Sequence, residues 1–545
     1  MLCILYLKVE TSCQSGREAA RSKLARSSQL QGQLFNCRMD PEQEYDVDDL
    51  LLEVGQFGRF QIKLFVYFTI QHVLIALIVM SIVFVGAPPN WWCIVNDSDI
   101  LRDPKHAPYI SEDAVIVNYK KCLMYEQQSC IVEVEQTSAS IVVEWDLYCS
   151  NFYKVGLSQS FCLLGMVLGA WFLGPPADRI GRRSIYLCSS LLLFVFTLTS
   201  AMASTYAQFA IARFLTGFAA AGCIVCYFVM LMEIIGPDYR AIMGVMLVGL
   251  FSASVMLLSL LAYLVSNWRM ILGFLAVLEI IHLMLSTNIV PESPRWLLLK
   301  GRLEEALQVL QTLATKNGTS LPAVTLKKLE KSTRSASLFN IFSFRIIFTR
   351  TTVMIACWFS VSFSYYGLSL GADSLSDNLY VSCALMGLVE LPGLLVCILA
   401  VDRYGRKMSL VSSLLLTGIA CICSGVVQWI SQYFATSSYG ITLIKMIVSL
   451  TGKFAVSTSL AVLYVYTSEL FPTEVRNKGL GVSSVATRCG SLLAPFVALL
   501  NNWSLGLPLI VMGLVPLISG LMSLLLPETK GKSLPDTLHE LKNPI

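Results

Sequence analysis

Residues 178–183 read DRIGRR, and residues 402–407 read DRYGRK. The two hexapeptides lie 224 positions apart, each directly after a stretch of almost pure hydrocarbon side chains. Other pairs follow the same plan. Glu233 precedes Arg240 by seven residues in EIIGPDYR, and Glu469 precedes Arg476 by seven in ELFPTEVR. PESPRW (291–296) is echoed by PET (527–529), and both of these pairs are offset by 236. A charged cassette that returns with its spacing intact reads as two alike halves joined by a linker. Parallel halves of six spans each are the plan of the major facilitator architecture.

Composition agrees with spans. The 545 residues are 55% hydrophobic and only 14% charged, with mean hydropathy +0.65, whereas soluble domains carry about 25% charged residues. Twelve segments are long and apolar enough to cross a bilayer, near 64–85, 155–174, 184–204, 206–231, 242–263, 268–290, 352–370, 378–400, 408–428, 439–466, 479–500 and 505–526. Lipid offers no partner to a free backbone group, so the expectation is an all-α membrane protein of twelve transmembrane helices. The net charge of +4 is spread over many loops and does not argue for nucleic acid. The opening MLCILYLKVE is too short an apolar run for a cleavable leader, and residues 1–38 read as a disordered extension or the product of an alternative start.

Basic residues set the orientation. The loop after span 2 holds Arg179, Arg182 and Arg183, and the loop after span 8 holds Arg403, Arg406 and Lys407. The loops at 429–438 and 501–504 contain no Lys or Arg. The positive-inside rule then places both termini in the cytoplasm. The resulting division is a cytoplasmic segment 1–63, a first half 64–290, a cytoplasmic polar linker 291–351, a second half 352–526 and a cytoplasmic tail 527–545. Loop 86–154 falls outside, with ten acidic residues against five basic ones. It carries one glycosylation sequon at Asn96 and four of the 17 cysteines, Cys93, Cys122, Cys130 and Cys149, whose pairing is open among three choices.

The cassette has a physical reading. Asp178 and Asp402 precede a glycine turn into the next helix, where a carboxylate can accept free N–H groups and oppose the helix dipole. Arg182 and Arg406 can bridge to Glu233 and Glu469 on neighbouring helix ends. With Arg240 and Arg476 these residues form a candidate conformational latch on one face of the membrane.

At this point the chain resembles a known family. The cysteine-bearing first loop, ADRIGRR, RFLTG (213–217), PESPRWLLLKGR (291–302), YTSELFPTEVRNKGLG (466–481) and LLLPETKGKSLPDT (524–537) are similar to solute carrier family 22, the organic cation, carnitine and organic anion transporters. The resemblance runs from about residue 48 to 540. It implies alternating access around a central cavity at the plasma membrane, with a small organic ion as substrate.

Intramembrane charges then bear on substrate class. Arg488 lies ten residues into span 11 (GLGVSSVATRCGSLLAP), where a guanidinium needs a partner or an aqueous cavity. The resemblance places it at a position that is aspartate in classical cation transporters and arginine in anion and carnitine transporters. Glu390, in VELPG of span 8, and Arg488 either face one cavity, suiting a zwitterion, or pair with each other. Leu394 stands where anion transporters usually have lysine, and Cys223 where the carnitine branch has asparagine. Tyr365, Tyr366 and Tyr464 align with cavity-lining positions of the family, and Ser484 shares a helical face with Arg488.

Other polar residues receive blander readings: Lys453 a structural one, Arg213 a helix-packing one, and His72 a satisfied histidine. Glu279 and His282, three residues apart on span 6, can share a proton, but the resemblance puts that helix at the periphery.

The expectation is a carrier of organic anions or carnitine-like zwitterions. The alternatives are an organic cation carrier with Arg488 structural, and a non-transporting receptor. The sequence holds no metal cluster and no GxSxG or Walker loop, so no enzyme, metal or cofactor is expected. Coupling to Na+ or H+ stays open.

Overall fold

The computed structural model describes residues 44–45, 47–89, 91–94, 131–134, 139–321, 325–326, 345–371, 378–433, 439–471, 473–497, 500, 504 and 506–530. Asn96, Cys122 and Cys130 fall outside them. Cys149 is disulfide-bonded, and Cys93 sits in a two-stranded antiparallel ribbon, β2 (Trp91–Ile94) on β3 (Ile131–Val134). A parallel pairing joins Glu44–Tyr45 (β1) to Thr325–Leu326 (β4). All else regular in the described residues is helical.

A short helix α1 (Val47–Val54) precedes the first half: α2 (Arg59–Met80), α3 (Tyr153–Ile180), α4 (Arg182–Ala201), α5 (Tyr206–Ile234), α6 (Pro237–Leu264) and α7 (Trp268–Ile289). Two linker helices follow, α8 (Pro294–Leu299) and α9 (Leu303–Asn317). The second half is α10 (Arg345–Leu370), α11 (Leu379–Tyr404), α12 (Arg406–Tyr433), α13 (Tyr439–Leu470), α14 (Thr473–Val497) and α15 (Leu507–Ser523). Among the described residues eleven helices are long and apolar enough to cross a membrane, and α15 is a shorter apolar twelfth. The expected all-α fold of two six-helix halves is the fold observed.

Each half has its own buried cluster, the first around Phe68, Tyr186 and Tyr227, the second around Trp358, Val456 and Tyr466. Helices approach closely where small residues allow it. In RFLTG, a Cβ on Gly217 would stand 1.9 Å from the Cys162 carbonyl oxygen of α3. Arg213 on the same helix is buried and donates to the carbonyls of Ile78 (2.8 Å) and Val79 (3.0 Å) and to Gln159 Oε1 (2.9 Å). It ties α5 to α2 and α3, as a packing residue should. Across the halves, Ser160 Oγ donates to the Leu492 carbonyl at 2.9 Å, and the rings of Phe84 and Tyr380 stack at 5.5 Å.

The start of the linker is folded into helices. Leu303–Asn317 is amphipathic, and Ala306, Leu310, Leu313 and Ala314 bury one face. That spacing of three and four is the helical stripe. Nearby, α1 buries Val47, Leu50, Leu51 and Val54 in the same apolar cluster, and Thr319 Oγ1 donates to the Val54 carbonyl at 3.0 Å. The beginning of the linker and the segment before the first span thus form one docked unit.

Candidate functional site

The repeated cassette forms two matching sites at the end of the bundle that carries the glycine turns. Arg182 pairs with Glu233, and Arg406 chelates Glu469 through Nε (2.9 Å) and a terminal nitrogen (2.9 Å). A hydroxyl completes each: Ser293 donates to Glu233, and Thr529 to Glu469 at 2.7 Å. Both hydroxyls come from the PES and PET motifs, which explains why those motifs recur with the cassette.

The aspartates do not cap the helices they precede. α3 continues to Ile180 and α11 to Tyr404, so Asp178 and Asp402 lie inside the preceding helix. The free N–H groups of α4 are taken instead by Glu292 (Arg182 N at 3.1 Å, Arg183 N at 3.2 Å). Those of α12 are taken by Glu528 (Arg406 N at 2.9 Å, Lys407 N at 3.1 Å). Gly181 and Gly405 permit this through positive φ, +131° and +88°. A Cβ would also stand 2.6 Å from a Glu292 oxygen at Gly181, and 2.7 Å from a Glu528 oxygen at Gly405. Burial pushes the Glu528 carboxyl up, but the backbone donors of Lys530, Arg406, Lys407 and Thr529 outweigh it and hold the group below the ordinary glutamate range. Asp178 keeps a secondary contact with Arg182 at 3.6 Å and is largely exposed.

Arg240 does not join Glu233. It and Arg295 converge on Asp48 of α1, Arg240 at 2.6 Å. Burial raises the Asp48 carboxyl, and the two guanidinium groups more than reverse this, leaving it below its usual range. The side chain of Arg476 lies outside the described residues. Asp48, Arg295, Glu292 and Glu528 escaped the sequence reading. The signal for Glu292 and Glu528 was the 236 offset itself, and for Asp48 there was none.

Between the halves lies a cavity of about 380 Å³. Its wall includes Arg488, Glu390, Tyr365, Tyr366, Tyr464 and Ser484, so the six candidates are brought together. Trp358, Phe251 and His72 add rings to the same wall.

Glu390 is paired, and not with Arg488. Its Oε1 lies 2.9 Å from Lys453 Nζ in α13, with both side chains almost fully buried. Its Oε2 accepts from Tyr365 Oη at 2.9 Å and from Ser252 Oγ of α6 at 2.5 Å. Lys453 also donates to Ser369 Oγ at 2.6 Å and stands 3.4 Å from the Tyr365 ring centroid. The structural reading of Lys453 therefore extends to the cavity wall, since it neutralises Glu390. Arg488 has no ion-pair partner among the described residues. Tyr464 packs edge-on against Trp358 at 4.8 Å.

His72 departs from the satisfied histidine expected. Its Nδ1 lies 2.6 Å from the Tyr227 hydroxyl, while Nε2 is buried and has no hydrogen-bond partner among the described residues. Glu279 and His282 separate: Glu279 meets Gln71 and Ser190, whereas His282 stacks on Tyr67 at 4.1 Å. Among the described residues no group of three or more His, Cys, Asp or Glu side chains is arranged to hold a metal ion.

Comparison with known proteins bears on the family and the fold. Residues 114–539 match the family described as Sugar (and other) transporter. A solute carrier family 22 member 15-like protein of Xenopus laevis is 33% identical over 503 residues, covering 92% of this chain and 97% of that protein. The organic cation/carnitine transporter 2 of Homo sapiens is 30% identical over 536 residues, covering 91% and 94%. In fold, the chain is similar to the xylose transporter XylE from E. coli in a partially occluded inward open conformation. The TM-score is 0.59 at 18% identity, over 87% of this chain and 100% of that one.

Proposed function

Because this chain belongs to solute carrier family 22, we propose that it carries small organic anions or carnitine-like zwitterions across the plasma membrane by alternating access. One observation carries the substrate class. Glu390 is already paired with Lys453, and Arg488 stands on the cavity wall with no ion-pair partner among the described residues. A guanidinium on a cavity wall favours a carboxylate, which it can hold through two parallel hydrogen bonds. The cavity, about 380 Å³, is of a size for a small organic ion. Its aromatic wall takes the rest of the molecule.

The pairing of Glu390 with Lys453 also separates this reading from its rival. An organic cation carrier needs an available carboxylate, and the aromatic wall of Phe251, Trp358, Tyr366 and Tyr464 is the observation in its favour, since rings attract cations. Basic loops place the glycine-turn end in the cytoplasm by the positive-inside rule. The two Arg–Glu latches then hold the cytoplasmic ends of the helices within each half and must adjust as the halves rock. Binding and translocation require no bond to be made or broken, so no enzymatic step is assigned.

The test is uptake in cells expressing the chain, with a quaternary ammonium cation, a carnitine-like zwitterion and a monocarboxylate supplied separately. Saturable entry of the zwitterion or the monocarboxylate supports the reading. Entry of the cation alone sinks it.

A further inference from the structure

A second ionisable site lies in the first half, away from the cavity. Glu279 is eleven residues from the start of α7 and ten from its end, and its side chain is fully buried. Its Oε1 accepts from Ser190 Oγ of α4 at 2.6 Å and from Gln71 Nε2 of α2 at 3.0 Å, and its Oε2 from the same Gln71 nitrogen at 3.1 Å. The Gln71 carbonyl accepts in turn from Tyr186 Oη at 3.2 Å. No lysine, arginine or histidine lies within ion-pair distance of Glu279 among the described residues. The other groups facing it are Tyr67 on α2, Tyr186 on α4 and Cys223 on α5, with His282 turned away to Tyr67. All of these are uncharged in their ordinary neutral forms.

An ionised carboxylate in the hydrocarbon slab with only neutral donors is costly. Such a group takes up a proton or a cation. The geometry favours the proton, because an amide can rotate end for end. With Gln71 turned, its carbonyl oxygen accepts the acid hydrogen of Glu279, and its NH2 group donates to the Tyr186 oxygen. The carbonyl and the NH2 group of Gln71 each keep a partner in both states, and the Tyr186 hydroxyl changes from donor to acceptor.

We propose that Glu279 is a proton-binding site, occupied at neutral pH, in which Gln71 reorients as the proton enters from solvent or leaves. Gln71 is followed in the chain by His72, which lines the cavity. The helix that senses the proton is therefore also a wall of the transport path, and this is where proton coupling would enter. The proton site itself does not depend on which substrate the cavity takes.

The test is infrared difference spectroscopy on the purified full-length chain in lipid, wild type against Glu279→Gln, across a pH series. At about pH 7, well above the ordinary glutamate pKa of about 4.3, the wild type should show the carbonyl band of a protonated carboxylic acid. That band should be missing from Glu279→Gln and should vanish from the wild type at higher pH. Ser190→Ala removes a donor to the ionised form, so it should move the disappearance to higher pH, and it keeps the test decisive if Glu279→Gln folds poorly. A wild type without the band at neutral pH, or a band that survives both substitutions unchanged, overturns the proposal. So does a carboxylate band that responds to Na+ and not to pH.

Discussion

Glu390 Oε1 lies 2.9 Å from Lys453 Nζ at the wall of the central cavity, and the pair joins α11 to α13 with scarcely any exposure to solvent. A buried pair of this kind is worth little as a pair, since desolvation offsets attraction. Breaking it is another matter. Lys453→Met leaves Glu390 buried and uncompensated, at a cost of about 3–5 kcal/mol. Adding Glu390→Gln should recover most of that loss. Thermal unfolding of the two single variants and the double variant in detergent measures the coupling, and a simple sum of the single effects would contradict the pairing.

The caps make a second contrast. Glu292→Ala and Glu528→Ala each remove the acceptor for a helix N-terminus, and caps of this sort are worth about 0.5–2 kcal/mol. Asp178→Ala, at a largely exposed side chain, should cost under about 0.5 kcal/mol, as surface changes do. Chemical or thermal unfolding of the three variants ranks them. An Asp178 variant as destabilised as the Glu292 variant would restore the aspartate to the capping role.

Asp48 gives a pH dependence with a definite sign. Its carboxyl is held below its ordinary range by Arg240 and Arg295, so the folded state binds the proton less readily than the unfolded chain. The stability it contributes is complete above the unfolded value of about 3.9 and is lost as pH falls through the lower folded value. The stability gap between wild type and Asp48→Asn should therefore be full at neutral pH and close in strong acid. A gap that widens on acidification contradicts the ion-pair assignment.

These residues also show what the sequence could and could not disclose. The twelve helices and their division into halves were legible because hydrocarbon length and basic loops report the bilayer directly. The Arg182–Glu233 and Arg406–Glu469 pairs were legible because both partners recur with a fixed offset. The capping glutamates were misassigned to Asp178 and Asp402, since a carboxylate beside a glycine turn looks like a cap until the helix is seen to run through it. Glu390 and Arg488 were found, but the pairing of Glu390 with Lys453 was not. Lys453 stands 63 residues from Glu390, and only the packing of α13 on α11 brings it there. The linker helix α9 carries its signal in the stripe Ala306, Leu310, Leu313, Ala314, which the sequence reading passed over within a polar linker.

Arg488 carries the central claim, and one measurement tests it most directly. Initial uptake of a monocarboxylate and of a quaternary ammonium cation is compared between wild type and Arg488→Gln, each at matched surface expression. If the guanidinium recognises the carboxylate, monocarboxylate uptake should drop about 10-fold or more, as expected from a charge-assisted hydrogen bond of about 1.5–3 kcal/mol, while the cation should gain or stay unchanged. Monocarboxylate uptake that survives the substitution intact would show that Arg488 does not recognise the substrate.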